Sequence, residues 1–207
     1  MVVNSSLRDK KSSSRALTKA FVETWSRNYP DDTYIYREVG LASIPPITNE
    51  WVAASFSKAE DRTEENRRSL ELSDILVSEL KEASVYVIGA PMYNWSILSG
   101  LKSYIDQVMR INETWKFRSG VPDGDYVGLL ENKKLFILSS RGDNGYAAGE
   151  RNAHMNFQSS YLKTIFNIMG VSQVEIVSLD NEEYGGELFE RSKEEVFKAI
   201  RSFHYSL

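Results

Sequence analysis

Two segments of the chain are continuously apolar and rich in β-branched residues. One covers residues 84–90 and runs into Pro91; the other covers residues 134–138 and runs into Ser139-Ser140-Arg141-Gly142. Uninterrupted runs of this length suit central strands of a parallel sheet, covered on both faces. Residues 34–39 and 173–179 are weaker strand candidates, and Val2-Val3 reads as a first strand cut short at its start. Between these segments the apolar spacing turns helical. Leu17, Phe21 and Trp25 are spaced by four, and Leu72, Leu76 and Leu80 repeat that spacing with Ile75 and Val77 widening the stripe. Ile97, Leu101, Tyr104, Ile105, Val108 and Met109 form another apolar face. From Phe157 to Met169 the pattern is apolar almost all round, which predicts a buried helix with a second subunit as one available cover. Gly170 supplies its stop, and a last helix is expected over residues 187–203.

The alternation β-α-β-α-β-α-β-α-β-α implies a doubly wound α/β fold, a parallel sheet with right-handed crossovers and helices on both faces. Five strands favour the flavodoxin-like order 2-1-3-4-5 over a six-stranded dinucleotide fold. No repeat or linker is visible, so residues 1–207 are expected to form a single domain, with Pro45-Pro46 and the stretch to Ala59 as its longest loop.

Composition narrows the partners. The 207 residues are 42% hydrophobic and 26% charged, an ordinary globular balance, and the net charge of −4 gives no reason to expect nucleic acid or an anionic membrane. The run from Glu60 to Arg68 mixes signs and reads as a solvated helix start. The absence of cysteine excludes disulfides, thiol nucleophiles, iron–sulfur clusters and cysteine zinc sites. No apolar run approaches a bilayer span and the N-terminus lacks a signal-peptide core, so a cytoplasmic protein is expected. His154 and His204 are too few and too far apart for a metal site, and no metal is expected. No G-x-S-x-G elbow supports a serine nucleophile.

In sheets of this kind ligands bind beyond the carboxyl ends of the strands, where the strand order reverses. Three loops qualify. The first carries Asn4-Ser5-Ser6 and then Ser12-Ser13-Ser14 at a helix start, where hydroxyls, free amides and the helix dipole suit a phosphate. Serines are also ordinary N-caps; a run of three shifts the balance towards the phosphate reading. With no G-x-G-x-x-G in the chain, a monoester is favoured over a pyrophosphate. The second loop, Pro91-Met92-Tyr93-Asn94-Trp95, could wall a flat ring, or simply close the core with aromatics. The third, Ser140-Arg141-Gly142-Asp143, lets backbone approach a ligand closely, and taken alone a plain turn explains it equally well.

Together the three loops resemble the FMN-dependent NADH:quinone oxidoreductases, also called FMN-dependent NADH-azoreductases. The likeness rests on Asn4-Ser5-Ser6 with Ser12-Ser13-Ser14, on Ala90 to Trp95 continuing into Leu101 to Asp106, on Ser139 to Gly142, on Tyr161 to Gly170, and on Tyr184-Gly185. It covers essentially the whole chain in order. The resemblance implies a flavodoxin-like fold and one FMN per subunit, its phosphate held by Ser6 and Ser12 to Ser14. It implies that Met92, Tyr93, Asn94 and Trp95 line the isoalloxazine, with Ser140, Arg141, Gly142 and Asp143 at its other edge. It also implies a homodimer with the flavin near the interface. Asp143 stands where the family usually has glycine, and Asn144-Gly145-Tyr146 replaces a region that often carries a histidine.

Hydride chemistry at flavin N5 belongs to the cofactor, so no catalytic side chain is expected. The expected cycle is ping-pong: NADH delivers a hydride and leaves, then a quinone or azo compound takes it from the same stacked position. Trp95, Phe117 and Phe157 are the expected walls for flat acceptors. Two rivals are an NADPH-dependent flavin or chromate reductase on the same fold and a non-enzymatic flavodoxin-type electron carrier. Carriers of that kind are usually shorter and more acidic than this chain.

Overall fold

The computed structural model describes residues 1–118 and 126–203. The expectation for His204 lies outside them. The chain order is β1 (Val2–Asn4), α1 (Ser13–Asn28), β2 (Tyr36–Glu38), α2 (Asn49–Phe56), α3 (Glu64–Glu82), β3 (Val85–Pro91) and α4 (Ser99–Val108). A small hairpin follows, β4 (Trp115–Phe117) and β5 (Tyr126–Gly128), then β6 (Lys134–Ser140), α5 (Ser159–Ile168), β7 (Gln173–Leu179) and α6 (Gly186–Arg201).

The main sheet has five parallel strands in the order β2-β1-β3-β6-β7. Counting main-sheet strands alone, this is the expected 2-1-3-4-5 order. The chain moves one way from β1 to β2 and the other way from β3 onward, so the reversal lies between β1 and β3. The alternation of β3 and β6 builds two cores. Tyr86, Ile88, Leu135 and Ile137 pack towards Leu76, Leu80, Leu101, Ile105 and Phe166. Val87, Phe136 and Leu138 pack on the opposite face with Leu17, Phe21, Trp25, Val196 and Ile200. Both faces are covered, which is why these strands read as continuous apolar runs.

Four local expectations change. The stretch after Pro46 contains α2, capped by Thr48, whose side chain accepts from the Trp51 amide; Trp51, Ala54 and Leu70 form a third small core. Residues 115–117 pair antiparallel with 126–128, a ribbon too short to show periodicity. Gly128 brings this ribbon against the end of α5: an added Cβ would lie 2.1 Å from the Gly170 amide nitrogen. Ile75 is exposed on α3. Phe157 lies ahead of α5, whose N-cap is Gln158, in a turn where the Asn156 side chain accepts from the Ser159 amide at 3.1 Å. Leu162 and Phe166 bury one face of α5, while Phe157 is exposed and Tyr161 half-buried.

Candidate functional site

A cleft of about 390 Å³ opens beyond the carboxyl ends of β1, β3 and β6, at the reversal of strand order. That volume lies within the range of small-molecule sites. Ser6, Ser12 and Ser13 line one side, Met92 and Tyr93 another, and Ser140 with Gly142 a third. Arg8, Pro91, Glu182 and Glu183 complete it. A second cavity of about 190 Å³ lies at the opposite end of the sheet, between Trp25, Asp32 and Val85. It lacks the hydroxyl run and lies at the amino ends of the strands, so the first cleft is the candidate site.

The serine side is built by the start of α1. Ser12 is the N-cap and its Oγ accepts from the Arg15 amide at 3.3 Å, with Ser14 Oγ 3.2 Å away. The amides of Ser13 and Ser14 precede the intrahelical ladder and are available to an acceptor. The first turn contains no acidic residue, so the positive end of the dipole is not cancelled there. Ser6 is buried and its Oγ accepts from the Arg8 amide at 3.1 Å. Hydroxyls and free amides, with Arg8, whose Nη1 also donates to Glu182 Oε1 at 3.4 Å, make a donor set that fits a phosphate monoester.

The aromatic side hangs from β3. Tyr93 and Ser96 exchange backbone hydrogen bonds at 3.0 and 2.9 Å, closing a two-residue turn over Asn94 and Trp95. Both central residues are left-handed, with φ of 48° and 62°, as a type I′ turn demands. Asparagine tolerates this; a tryptophan there is strained. Trp95 is half-exposed and its carbonyl accepts the Phe157 amide at 3.1 Å, so the backbones of these two exposed aromatics are joined at the turn that borders the cleft.

The loop after β6 passes the cleft with its backbone and points its larger side chains elsewhere. Arg141 is buried and its guanidinium turns inward. It donates to Gln158 Oε1 and Ser159 Oγ, both at 3.1 Å, lies 3.8 Å from Asp180 Oδ1, and sits over the Tyr146 ring. Gln158 in turn donates to the Ala90 carbonyl at 2.7 Å, tying β3 to this network. Burial pushes the Asp180 carboxyl up to about 6 against the pull of Arg141. Asp143 accepts from the Asn144 amide at 2.7 Å, from Arg151 at 2.5 Å and from Asn152 at 3.1 Å. Asn152 also donates to the Asn144 carbonyl at 2.7 Å, and Asn156 to the Tyr146 carbonyl at 3.0 Å.

Of the residues expected at the site, Ser6, Ser12, Ser13, Met92, Tyr93, Ser140 and Gly142 come together around the cleft. Ser14 is buried behind Ser12, and Asn94 and Trp95 sit on the turn outside the lining. Arg141 and Asp143 are engaged in their own networks. Phe117 is exposed on β4, packed edge-on against Trp115 and beside Tyr126, away from the lining; Phe157 flanks a shallow apolar groove with Ile97 and Tyr161. Arg8, Glu182 and Glu183 were not expected. Arg8 stands two residues past Ser6, whereas Glu182 and Glu183 reach the cleft from the loop between β7 and α6.

The family model described as flavodoxin-like fold matches residues 1–203. The FMN-dependent NADH:quinone oxidoreductase 1 of Trichormus variabilis is 37% identical over 185 residues, covering 89% of this chain and 85% of its own length. The FMN-dependent NAD(P)H:quinone oxidoreductase 1 of Pseudomonas aeruginosa is 37% identical over 196 residues, covering 94% and 92%. Among solved structures, an azoreductase from Bacillus anthracis aligns with a TM-score of 0.83 at 24% identity over 98% of both chains, a likeness of fold.

Proposed function

The chain belongs to the FMN-dependent NADH:quinone oxidoreductases, enzymes of flavodoxin-like fold, and from that premise we propose that it passes two electrons from NADH through FMN to quinones and azo compounds. The observation that carries this reading is the cleft at the sheet reversal, where a hydroxyl-lined helix start faces Met92 and Tyr93. Bound FMN supplies hydride chemistry at its N5. Ser6, Ser12 and Ser13, with the first amides of α1 and the charge of Arg8, would hold the phosphate end. Pro91, Met92 and Tyr93 would flank the ring, with the Ser140–Gly142 backbone at another side of the cleft. The exposed Trp95 and Phe157 would wall flat acceptors, with nicotinamide and acceptor taking the same place in turn. Stacking with few hydrogen bonds favours broad acceptor tolerance.

The working unit in this reading is a cytoplasmic homodimer of single-domain subunits. The exposed Phe157 and the groove it shares with Ile97 and Tyr161 adjoin the Trp95 turn, so a second copy seated there would close over the acceptor wall. No helix among the described residues is long and apolar enough to cross a membrane.

The purified protein should be yellow, with oxidised flavin bands, and should oxidise NADH with a benzoquinone acceptor, parallel initial-rate lines marking the ping-pong order. Colourless protein that takes up no FMN on reconstitution would refute the reading. Bound flavin without turnover would favour an electron carrier. Preference for NADPH with free flavin or chromate as acceptor would favour the reductase alternative.

A further inference from the structure

Arg15 stands in the first turn of α1, where a cation opposes the helix dipole. Its side chain is largely buried and lies outside the cleft lining. It folds back over the preceding loop instead, with Nε donating to the Arg8 carbonyl at 2.9 Å and Nη2 to the Ser6 carbonyl at 2.8 Å. The outer edge of the same guanidinium grips Glu38 at the end of β2, Nη1 to Oε2 at 2.5 Å and Nη2 to Oε1 at 2.7 Å. Glu38 Oε1 also accepts the amides of Gly40 and Leu41, both at 2.9 Å. One guanidinium therefore joins the β1–α1 loop, the start of α1 and the end of β2.

The consequence follows from peptide geometry. A trans peptide points its N–H opposite to its C=O. Fixing the Ser6 and Arg8 carbonyls on Arg15 thus fixes the directions of the Leu7 and Asp9 amides, and with them where Ser6 and Arg8 stand on the cleft. Glu38 neutralises the charge of Arg15, so its contribution is geometric. Only a planar fork can serve two carbonyls and a bidentate carboxylate together; an ammonium cannot.

We propose that Arg15, braced by Glu38, is the positioning residue that holds the β1–α1 loop in its phosphate-binding shape, and so sets the preference of this site for a phosphorylated flavin over the same flavin without phosphate. The inference rests on the FMN reading above.

The experiment titrates apoprotein with FMN and, separately, with riboflavin, following quenching of flavin fluorescence, for the wild type, Arg15→Lys, Glu38→Gln and the double variant. Thermal melts of each apoprotein accompany the titrations. Wild type should bind FMN well ahead of riboflavin. Arg15→Lys should weaken FMN on the order of tenfold, the scale of one charge-assisted hydrogen bond, while riboflavin affinity changes less than about twofold. Glu38→Gln should move the ratio the same way, and the double variant should add little, since the two residues act as a unit. Equal weakening for both flavins, or an unchanged ratio with only a lowered melting temperature, would overturn the proposal while leaving the FMN reading intact. A wild type that does not prefer FMN would overturn both.

Discussion

Arg141 is the position where the geometry and the family resemblance point to different outcomes, and replacing it with leucine separates them. At the flavin edge, its loss should damage cofactor binding or turnover. Buried among Gln158, Ser159, Asp180 and Tyr146, its loss should instead damage the fold. Arg141→Leu removes two charge-assisted hydrogen bonds, each worth about 1.5–3 kcal/mol, and strands the Gln158 carbonyl oxygen. It also removes the cation that lies 3.8 Å from Asp180 Oδ1. Against this stand the relief of a buried guanidinium, whose pKa burial already lowers, and the packing of the leucine itself. The balance is about 3 kcal/mol of destabilisation. At about 2–4 °C per kcal/mol for a chain of this size, the melting temperature should fall by about 6–12 °C. Differential scanning fluorimetry at neutral pH measures that fall, and steady-state kinetics at 25 °C with saturating FMN measures kcat/KM, which should stay within about threefold of wild type. A melting temperature within about 2 °C of wild type, with kcat/KM or FMN affinity reduced tenfold or more, would refute the inward assignment.

Three other substitutions probe separate features. Trp95→Asn places a residue that tolerates positive φ in the strained turn; it should raise stability by about 1 kcal/mol in thermal melts and raise KM for a quinone severalfold as one stacking face is lost. Gly40→Ala would put a Cβ 2.2 Å from the Ser6 carbonyl oxygen, so it should cost about 1–3 kcal/mol in a denaturant titration and weaken FMN, whereas wild-type values for both would show that the loop yields there freely. Asp180→Asn tests pH dependence. The folded-state pKa of about 6 lies above the ordinary value of 3.8, so the folded protein holds more protons between the two and loses stability as pH rises through that window. The variant should therefore be more stable than wild type by about 1–3 kcal/mol at pH 7.5 and gain nothing near pH 3.5; a constant difference across pH would contradict this.

Much of the architecture was legible because it is written in local periodicity. Residues 173–179 read as a strand and are β7, and the runs at 84–90 and 134–138 mark β3 and β6, the two strands covered on both faces. The serine run and the Pro91–Tyr93 segment could be placed at one site because the crossover rule converts strand order into proximity. What escaped was decided at long range or over few residues. α2 has eight residues behind a proline pair, and its one clear signal was the Thr48 cap. β4 and β5 have three residues each and hold their place through the Gly128–Gly170 contact. The inward turn of the Arg141 side chain is set mostly at long range: its hydrogen-bond and charge partners lie 17, 18 and 39 positions away, and only the Tyr146 ring is near in the chain. Glu182 and Glu183 look like ordinary solvated acids until the end of β7 is set beside β6.

The stitching of residues 143–156 onto one another has a thermodynamic corollary. Asp143, Asn152 and Asn156 satisfy backbone groups of that stretch from within, so the segment that follows Gly142 at the cleft edge is already tied to itself before any guest arrives. Association then freezes little additional chain on this side, and its entropy cost falls mainly on the guest. Its heat-capacity change should accordingly track only the apolar area covered, without the larger signature of a segment that folds as it binds.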